Sequence, residues 1–300
     1  MGIGNWSVKE FKSYSSASKS GATYDSTTGK LRGLSSTQDV YKQNYLNDAL
    51  NPRNVMRECC DSEEHPNTIP VILALDVTGS MGGAALEVAK SLNAIMTALY
   101  KEVTDVEFCI MGIGDLAYDR APIQISQFES DIRIAEQLDK IYFEGGGGGN
   151  DFESYTAAWY MGLYHTKLDC WKRGKKGIII TLGDEYLNPY LPLSGIRCDL
   201  ASVTGDNLQA EVETKKLYDG VKEKYDVYHI DVKHGSHYTS RYLEESFTDV
   251  IGKDNFFTAD INSLPDVITK IVVDSQNKQG EEVQTEEVVA GFVSGEGISW

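Results

Sequence analysis

The chain is short of positive charge, of proline and of long apolar runs, and each shortage narrows what it can be. Lys and Arg together number 28 against 45 Asp and Glu, a formal net charge of −17. A surface that acidic repels phosphate backbones, so nucleic acid and anionic membrane are excluded as expected partners, and basic proteins and cations are favoured. The longest apolar run, Ile69 to Leu75, is far too short to span a bilayer. Met1 to Ser7 has neither a basic stretch nor an apolar core, so no signal peptide is expected, and Trp6 stands where N-myristoylation wants Ser or Thr. The cysteines Cys59, Cys60, Cys109, Cys170 and Cys198 form an odd, scattered set without CxxC spacing, which argues against zinc and for a reducing cytoplasm. The vicinal pair Cys59-Cys60 does not easily bridge to itself, and Cys109 lies inside an apolar strand. What is present is ordinary: 300 residues, 41% hydrophobic, with 28 Gly and 7 Pro, enough to bury a sizeable core.

Three regions follow from the patterning. Residues 1–64 are rich in Ser, Thr, Tyr, Gly and Asn and read as an arm that is loosely structured or packed on the rest, with a short helix near Thr37 to Leu46. Residues 65–277 alternate strand and helix patterns. Residues 278–300 read as a flexible acidic tail, since Glu281 to Trp300 holds five Glu and no Lys or Arg. In the middle region the expected strands are Ile69 to Asp76, Val106 to Ile113, an antiparallel edge at Ile123 to Phe128, Gly177 to Thr181, Val227 to Val232 and Phe256 to Ala259. The expected helices are Met81 to Lys101, Asp131 to Leu138, Glu153 to Lys167, one capped by Asp206 and running to Lys224, and Leu264 to Val273. Such alternation implies an α/β fold with a mostly parallel sheet and helices on both faces.

Open parallel sheets bind ligands at the carboxyl ends of their strands. Three oxygen-rich loops lie there: Asp76-Val-Thr-Gly-Ser80, the glycine run Gly145 to Gly149 with Asn150-Asp151-Phe152-Glu153-Ser154, and Gly183-Asp184-Glu185. In an extended segment Asp76, Thr78 and Ser80 would point to one side and offer a carboxylate and two hydroxyls to a single point. Mg²⁺ takes six oxygens and keeps waters willingly, so such a set with Asn150 or Asp151 and with Asp184 suits it. The glycine run would let backbone approach the ion.

The stretch DVTGSMG, Asp76 to Gly82, resembles the DxSxS motif of the metal-ion-dependent adhesion site (MIDAS) of von Willebrand factor A (vWA) domains, with Thr78 in place of the usual first Ser. That family follows with a Thr in a second loop and an Asp in a third. Here the second loop lacks the Thr and looks more like a GGGDxPES form, which puts Asn150 in the ligand slot with Asp151 and Ser154 as alternates. The third loop reads LGDE rather than TDG, so Asp184 is the choice and Glu185 the reserve. The resemblance covers roughly Pro66 to Ser275 and is strongest to stand-alone intracellular vWA proteins of bacteria and phages. It implies a three-layer α/β/α Rossmann-like vWA fold with one antiparallel edge strand. It also implies Mg²⁺, with Mn²⁺ or Ca²⁺ as alternatives, held by Asp76, Thr78, Ser80, Asn150 and Asp184. The implied role is binding or scaffolding without catalysis. The implied partner is a protein presenting an Asp or Glu to the ion, an ATPase or part of a larger complex.

A rival reading comes from a second resemblance. Asp76-Val-Thr-Gly-Ser is similar to the DKTGT nucleophile motif of haloacid dehalogenase type phosphatases and phosphotransferases, with Lys175 or Lys176 as the phosphate-binding lysine and Gly183 to Asn188 as the Mg²⁺ loop. Against it, Thr78 stands where that class usually has a second carboxylate, and the glycine-run loop has no role. Asp115 and Asp119 read as solvated loop acids near the same face. His234 and His237 form an HxxH that would need a third ligand such as Asp231 to hold zinc. His65 and His165 belong to no constellation, and Trp159, Tyr160 and Tyr164 follow helical spacing as core residues do.

Overall fold

Six strands make the central sheet of the computed structural model: β1 (Ile69–Asp76), β2 (Val106–Ile113), β3 (Ile123–Ile125), β4 (Gly177–Gly183), β5 (Tyr225–Lys233) and β6 (Phe256–Asp260). The structure describes residues 4–20, 22–25, 30–34, 43–81, 84, 87–88, 91–144 and 149–293, without the side chains of 17–42 and 281–293. The strand order is β6-β5-β4-β1-β2-β3, parallel except for β3, which runs antiparallel to β2 at the edge. β1 lies between β2 and β4, with Leu75 opposite Leu182 of β4 and Asp76 opposite Ile113 of β2.

The continuous apolar runs are explained by burial on both faces. Along a strand, alternate side chains point to opposite sides of the sheet. Val71, Leu73 and Leu75 of β1, with Phe108 and Ile110 of β2, Ile178 and Ile180 of β4 and Ile230 of β5, enter one core. Ile72, Ala74, Cys109, Met111, Ile179 and Val227 enter the other. The first core is covered by α1 (Val8–Ser20), α2 (Leu92–Glu102), α3 (Arg133–Leu138) and α8 (Leu264–Val293), with Phe11, Leu92, Ile95, Ile134 and Ile268 turned inward. The second is covered by α4 (Tyr155–Tyr164), α5 (Leu200–Thr204), α6 (Thr214–Val221) and α7 (Arg241–Ile251), through Trp159, Leu200, Leu217 and Phe247. This is the three-layer, mostly parallel α/β arrangement expected, with its antiparallel edge. Among the described residues no helix is long and apolar enough to cross a membrane.

Several elements differ from expectation, each for a local reason. The helix expected over Glu153 to Lys167 is shorter at both ends. Phe152–Glu153 pairs with Tyr186–Leu187, and Thr166–Leu168 pairs with Arg57–Cys59. Asp206 caps no helix; its carboxylate accepts from the Tyr160 hydroxyl and bonds His165 Nε2, both at 2.6 Å. α7 went unread although Leu243, Phe247 and Ile251 recur every four residues and the Ser240 hydroxyl caps it by accepting from the Leu243 amide. α8 continues past Val273 to Val293. In the arm, residues 43–47 are not helical and a 3₁₀ turn occupies Asp48–Leu50, while residues 37–42 of the expected short helix lie outside the described residues. So do Leu86 and Ala89 of the helix expected from Met81.

Candidate metal centre

Asp76 and Asp184 meet because β1 and β4 are neighbours running the same way, so both chains deliver a carboxylate at the same end of the sheet. The Asp76-to-Ser80 segment is a turn and not an extended strand, which corrects the expected geometry. Asp76 Oδ1 accepts from both the Thr78 amide (2.9 Å) and the Thr78 hydroxyl (2.7 Å), folding the chain back on its own carboxylate. The turn still gathers the same three oxygens. Thr78 Oγ1 lies 3.1 Å from Ser80 Oγ, and the Ser80 hydroxyl donates to Asp184 Oδ1 at 2.9 Å. Asp76 is fully buried, Thr78 and Asp184 are buried, and Ser80 is exposed, so the group opens to solvent on one side.

Behind it stands Tyr155, the first residue of α4, whose buried hydroxyl donates to Asp76 Oδ2 at 3.0 Å. Gly183 makes room for it: a Cβ there would lie 1.8 Å from the Tyr155 hydroxyl, so no other residue fits without displacing the tyrosine. Burial together with Asp76 holds the Tyr155 phenol well above its ordinary value, which keeps it a proton donor.

The second loop presents a residue that the sequence reading passed over. Phe152 and Glu153 pair in register with Tyr186 and Leu187, and strand alternation turns Phe152 outward against Tyr186 (ring centroids 6.1 Å apart) and Glu153 inward. Glu153 is 6% exposed, and its Oε2 has no hydrogen-bond partner. Burial, with Asp76, Asp115 and Asp119 nearby, pushes its pKa to about 11. The usable signal was the alternation: in NDFES the acid two residues before α4 had to face the sheet. Asn150, by contrast, is exposed and its Oδ1 accepts from the Phe152 amide at 3.2 Å. Asp151 is exposed too. Ser154 is buried, and its hydroxyl oxygen accepts from the Leu116 amide at 2.9 Å, which ties down the neighbouring loop. Glu185 sits half-buried beside Asp184, its pKa pushed to about 7 by burial and by Asp184 and Asp151. Gly145 to Gly148 lie outside the described residues.

The other candidates fall into place around this group. Asp115 and Asp119 are buried rather than solvated: Asp119 accepts from the Asp115 amide and Asp115 from the Ala117 amide, both at 2.8 Å. His234 Nε2 lies 2.8 Å from Asp184 Oδ2, and His237 Nε2 lies 2.8 Å from Asp231 Oδ1. His65 bonds Asp105 and the Gly4 carbonyl, and His165 bonds Asp206 and the Val55 carbonyl. Trp159 and Tyr160 are core residues as expected, while Tyr164 is 56% exposed. Lys175 and Lys176 precede β4 and so sit at the opposite end of the sheet from Asp76, where Lys175 donates to the Gln279 carbonyl at 2.7 Å. The phosphoryl-transfer reading needs one of them beside Asp76, and seven residues of strand keep them apart.

The arrangement of protons bears on what the site can hold. Thr78 gives its hydroxyl proton to Asp76 and Ser80 gives its own to Asp184. Their oxygens lie 3.1 Å apart, each also bonded to a carboxylate oxygen. Two adjacent oxygens on an octahedral Mg²⁺, each about 2.0–2.1 Å from the ion, stand about 3 Å apart. Burial raises Asp76 to about 7 despite the donors from Thr78 and Tyr155, and among the described residues no Lys or Arg pairs with Asp76, Glu153 or Asp184. Among those residues no three His, Cys, Asp or Glu side chains converge to hold a metal by themselves. The two hydroxyls would therefore have to complete the set, and their 3.1 Å separation fits two neighbouring positions on an oxygen-seeking cation.

No protein-family model and no curated protein matches the sequence. Solved structures do resemble it. The pilus adhesin SpaC of Lactobacillus rhamnosus GG, in an open conformation, is 14% identical, with 74% of this chain and 31% of that one covered and a TM-score of 0.48. The vWF domain of the type V pili tip protein Mfa5 of Porphyromonas gingivalis is 12% identical over 68% of this chain and 94% of that one, at 0.44. BatB of Bacteroides thetaiotaomicron is 17% identical over 71% and 99%, at 0.41. The chain thus spans about a third of the SpaC chain's length. Likenesses with scores below 0.5 carry no residue roles across, and the function has to be argued from this chain's own side chains.

Proposed function

We propose that the chain is a vWA-type binding domain whose carboxyl-end site holds a divalent cation, Mg²⁺ in the first place and Mn²⁺ or Ca²⁺ as alternatives, and through it takes a protein partner. Asp76, Thr78, Ser80 and Asp184 would hold the ion, with Glu153 in the second loop where Asn150 was expected. The observation that carries this reading is the convergence of Asp76, Thr78, Ser80 and Asp184 at the carboxyl end of the sheet, linked by contacts of 2.7–3.1 Å with the two hydroxyl oxygens 3.1 Å apart. Oxygens so gathered around buried carboxyl groups call for positive charge. When bound, the ion supplies that charge and an open position for an Asp or Glu of the partner.

The residues of the chain do the rest. Asp76 fixes the turn, and Tyr155 fixes Asp76. Asp184 aims Ser80, whose exposure leaves the site accessible from solvent. The reading is binding without catalysis. A formal charge of −17 favours a partner that is basic overall and presents a local acid. A cytoplasmic location and assembly with an ATPase or a larger complex belong to the same proposal. Calorimetry with Mg²⁺ and Mn²⁺ tests it: wild type should bind one ion and Asp76→Ala none. Binding that survives Asp76→Ala would put the ion elsewhere.

A further inference from the structure

His234 and His237 form an HxxH that would need a third ligand such as Asp231 to hold zinc. Among the described residues no three His, Cys, Asp or Glu side chains converge to hold a metal. The two histidine rings stack 5.6 Å apart at 13°, and each reaches a different buried aspartate. The two aspartates belong to neighbouring strands: Asp231 lies in β5 opposite Gly183, and Asp184 follows Gly183 at the end of β4. Asp231 is fully buried, and its two oxygens are taken by His237 Nε2 and by the Thr239 hydroxyl. That double attachment anchors the loop after β5 from within. The anchored loop then holds His234 against Asp184.

Asp184 is used on both oxygens, Oδ1 by the Ser80 hydroxyl and Oδ2 by His234 Nε2. A carboxylate held at one oxygen alone can turn about its Cβ–Cγ bond; held at both, it has one orientation. In that orientation Oδ1 accepts from the Ser80 hydroxyl and holds the Ser80 oxygen 3.1 Å from the Thr78 oxygen. Asp184 thus accepts from His234 on one side and from Ser80 on the other, so the imidazole helps to fix where the Ser80 oxygen lies.

We infer that His234 is a positioning residue of the cation site: by donating from Nε2 to Asp184 Oδ2 it sets the carboxylate that aims the Ser80 oxygen at the ion. This rests on the proposed metal centre and adds a residue that touches no ion itself. Donors behind metal-ligating groups are worth about ten- to a hundredfold in metal affinity. The test is Mg²⁺ and Mn²⁺ calorimetry on the full chain as wild type, His234→Ala, His234→Gln and Asp76→Ala, with the metal-free melting temperature of each. The Gln side chain places an amide donor near the position of Nε2. His234→Ala should weaken binding about ten- to a hundredfold, His234→Gln should restore it to within about threefold of wild type, and their metal-free melting temperatures should agree. A loop that served stability alone would lower the melting temperature and show no rescue by Gln, which overturns the inference. So does a His234→Ala protein that binds as wild type does while Asp76→Ala does not bind, and in that case the metal centre itself stands. Wild type that binds neither ion overturns both.

Discussion

At the amino end of the parallel strands several acids are matched with bases, although Glu107 of β2 is fully buried there with no Lys or Arg partner among the described residues. Asp61 pairs with Arg173, which also donates to the Thr68 carbonyl at 2.8 Å, Asp169 pairs with Lys172 at 2.7 Å, and His65 meets Asp105 at 3.2 Å. At the carboxyl end Asp76, Glu153 and Asp184 are more deeply buried than Asp61, and among the described residues none has a Lys or Arg partner. Both ends are made by the same strands. The difference is one of pairing: Asp61 and Asp169 have cationic partners, whereas Asp76 and Glu153 have none among the described residues. Burial raises Asp76 to about 7 and Glu153 to about 11, so both carboxyls keep a proton over a wider pH range than usual, and Asp184 is bonded by His234 and Ser80.

The contrast can be broken or sharpened by experiment. The largest effect should come from the cation. Mg²⁺ at about a hundred times its dissociation constant should stabilise wild type by roughly 2.7 kcal/mol in denaturant unfolding, and Asp76→Asn not at all. Next, Gly183→Ala should cost about 1–3 kcal/mol because its Cβ displaces Tyr155, and it should weaken Mg²⁺ binding as well. Gly174, before β4 at the other end, has open space around a Cβ and a φ of +67°, so Gly174→Ala should cost roughly 1 kcal/mol and leave the cation alone.

The pH dependence separates the ends further. Burial lifts Asp76 from its ordinary 3.8 to about 7, so between those values the folded state keeps a proton that the unfolded chain has released. The stability of the chelator-treated protein should then fall as pH rises through that window, Asp76 contributing up to about 1.4 kcal/mol per pH unit, and go on falling less steeply above it while Glu153 still holds its proton. Asp76→Asn should reduce the slope in urea titrations between pH 5 and pH 8 without abolishing it, since Glu153 also holds a proton there. Smallest is Asp61→Ala, which removes acceptors for Arg173 and for the Thr68 amide and hydroxyl. A loss of about 1 kcal/mol with unchanged Mg²⁺ affinity is expected by the same unfolding and calorimetric measurements.

The strands β1 and β2 were legible to the residue because Ile69–Asp76 and Val106–Ile113 are apolar on both faces, which only a central strand of a three-layer fold requires. Asp76, Thr78, Ser80 and Asp184 were legible because a two-residue spacing after one strand and a single acid after its neighbour fix them locally. Glu153 was not, since its inward orientation depends on pairing with Tyr186–Leu187, more than thirty residues away in sequence. His234 was misread for a related reason. Its spacing to His237 suggests one shared ligand, whereas the register of β5 on β4 assigns each ring its own aspartate. What local pattern conveys is which groups reach the end of the sheet; long-range register decides which of them face one another.

Diffraction at the manganese edge from crystals grown with Mn²⁺ tests the central claim most directly. The expected result is one anomalous peak between the Thr78 and Ser80 hydroxyls, within bonding distance of both and next to Asp76. A fully soaked crystal with no peak there, or with its only peak at another part of the surface, would contradict the reading of these buried acids as a cation site.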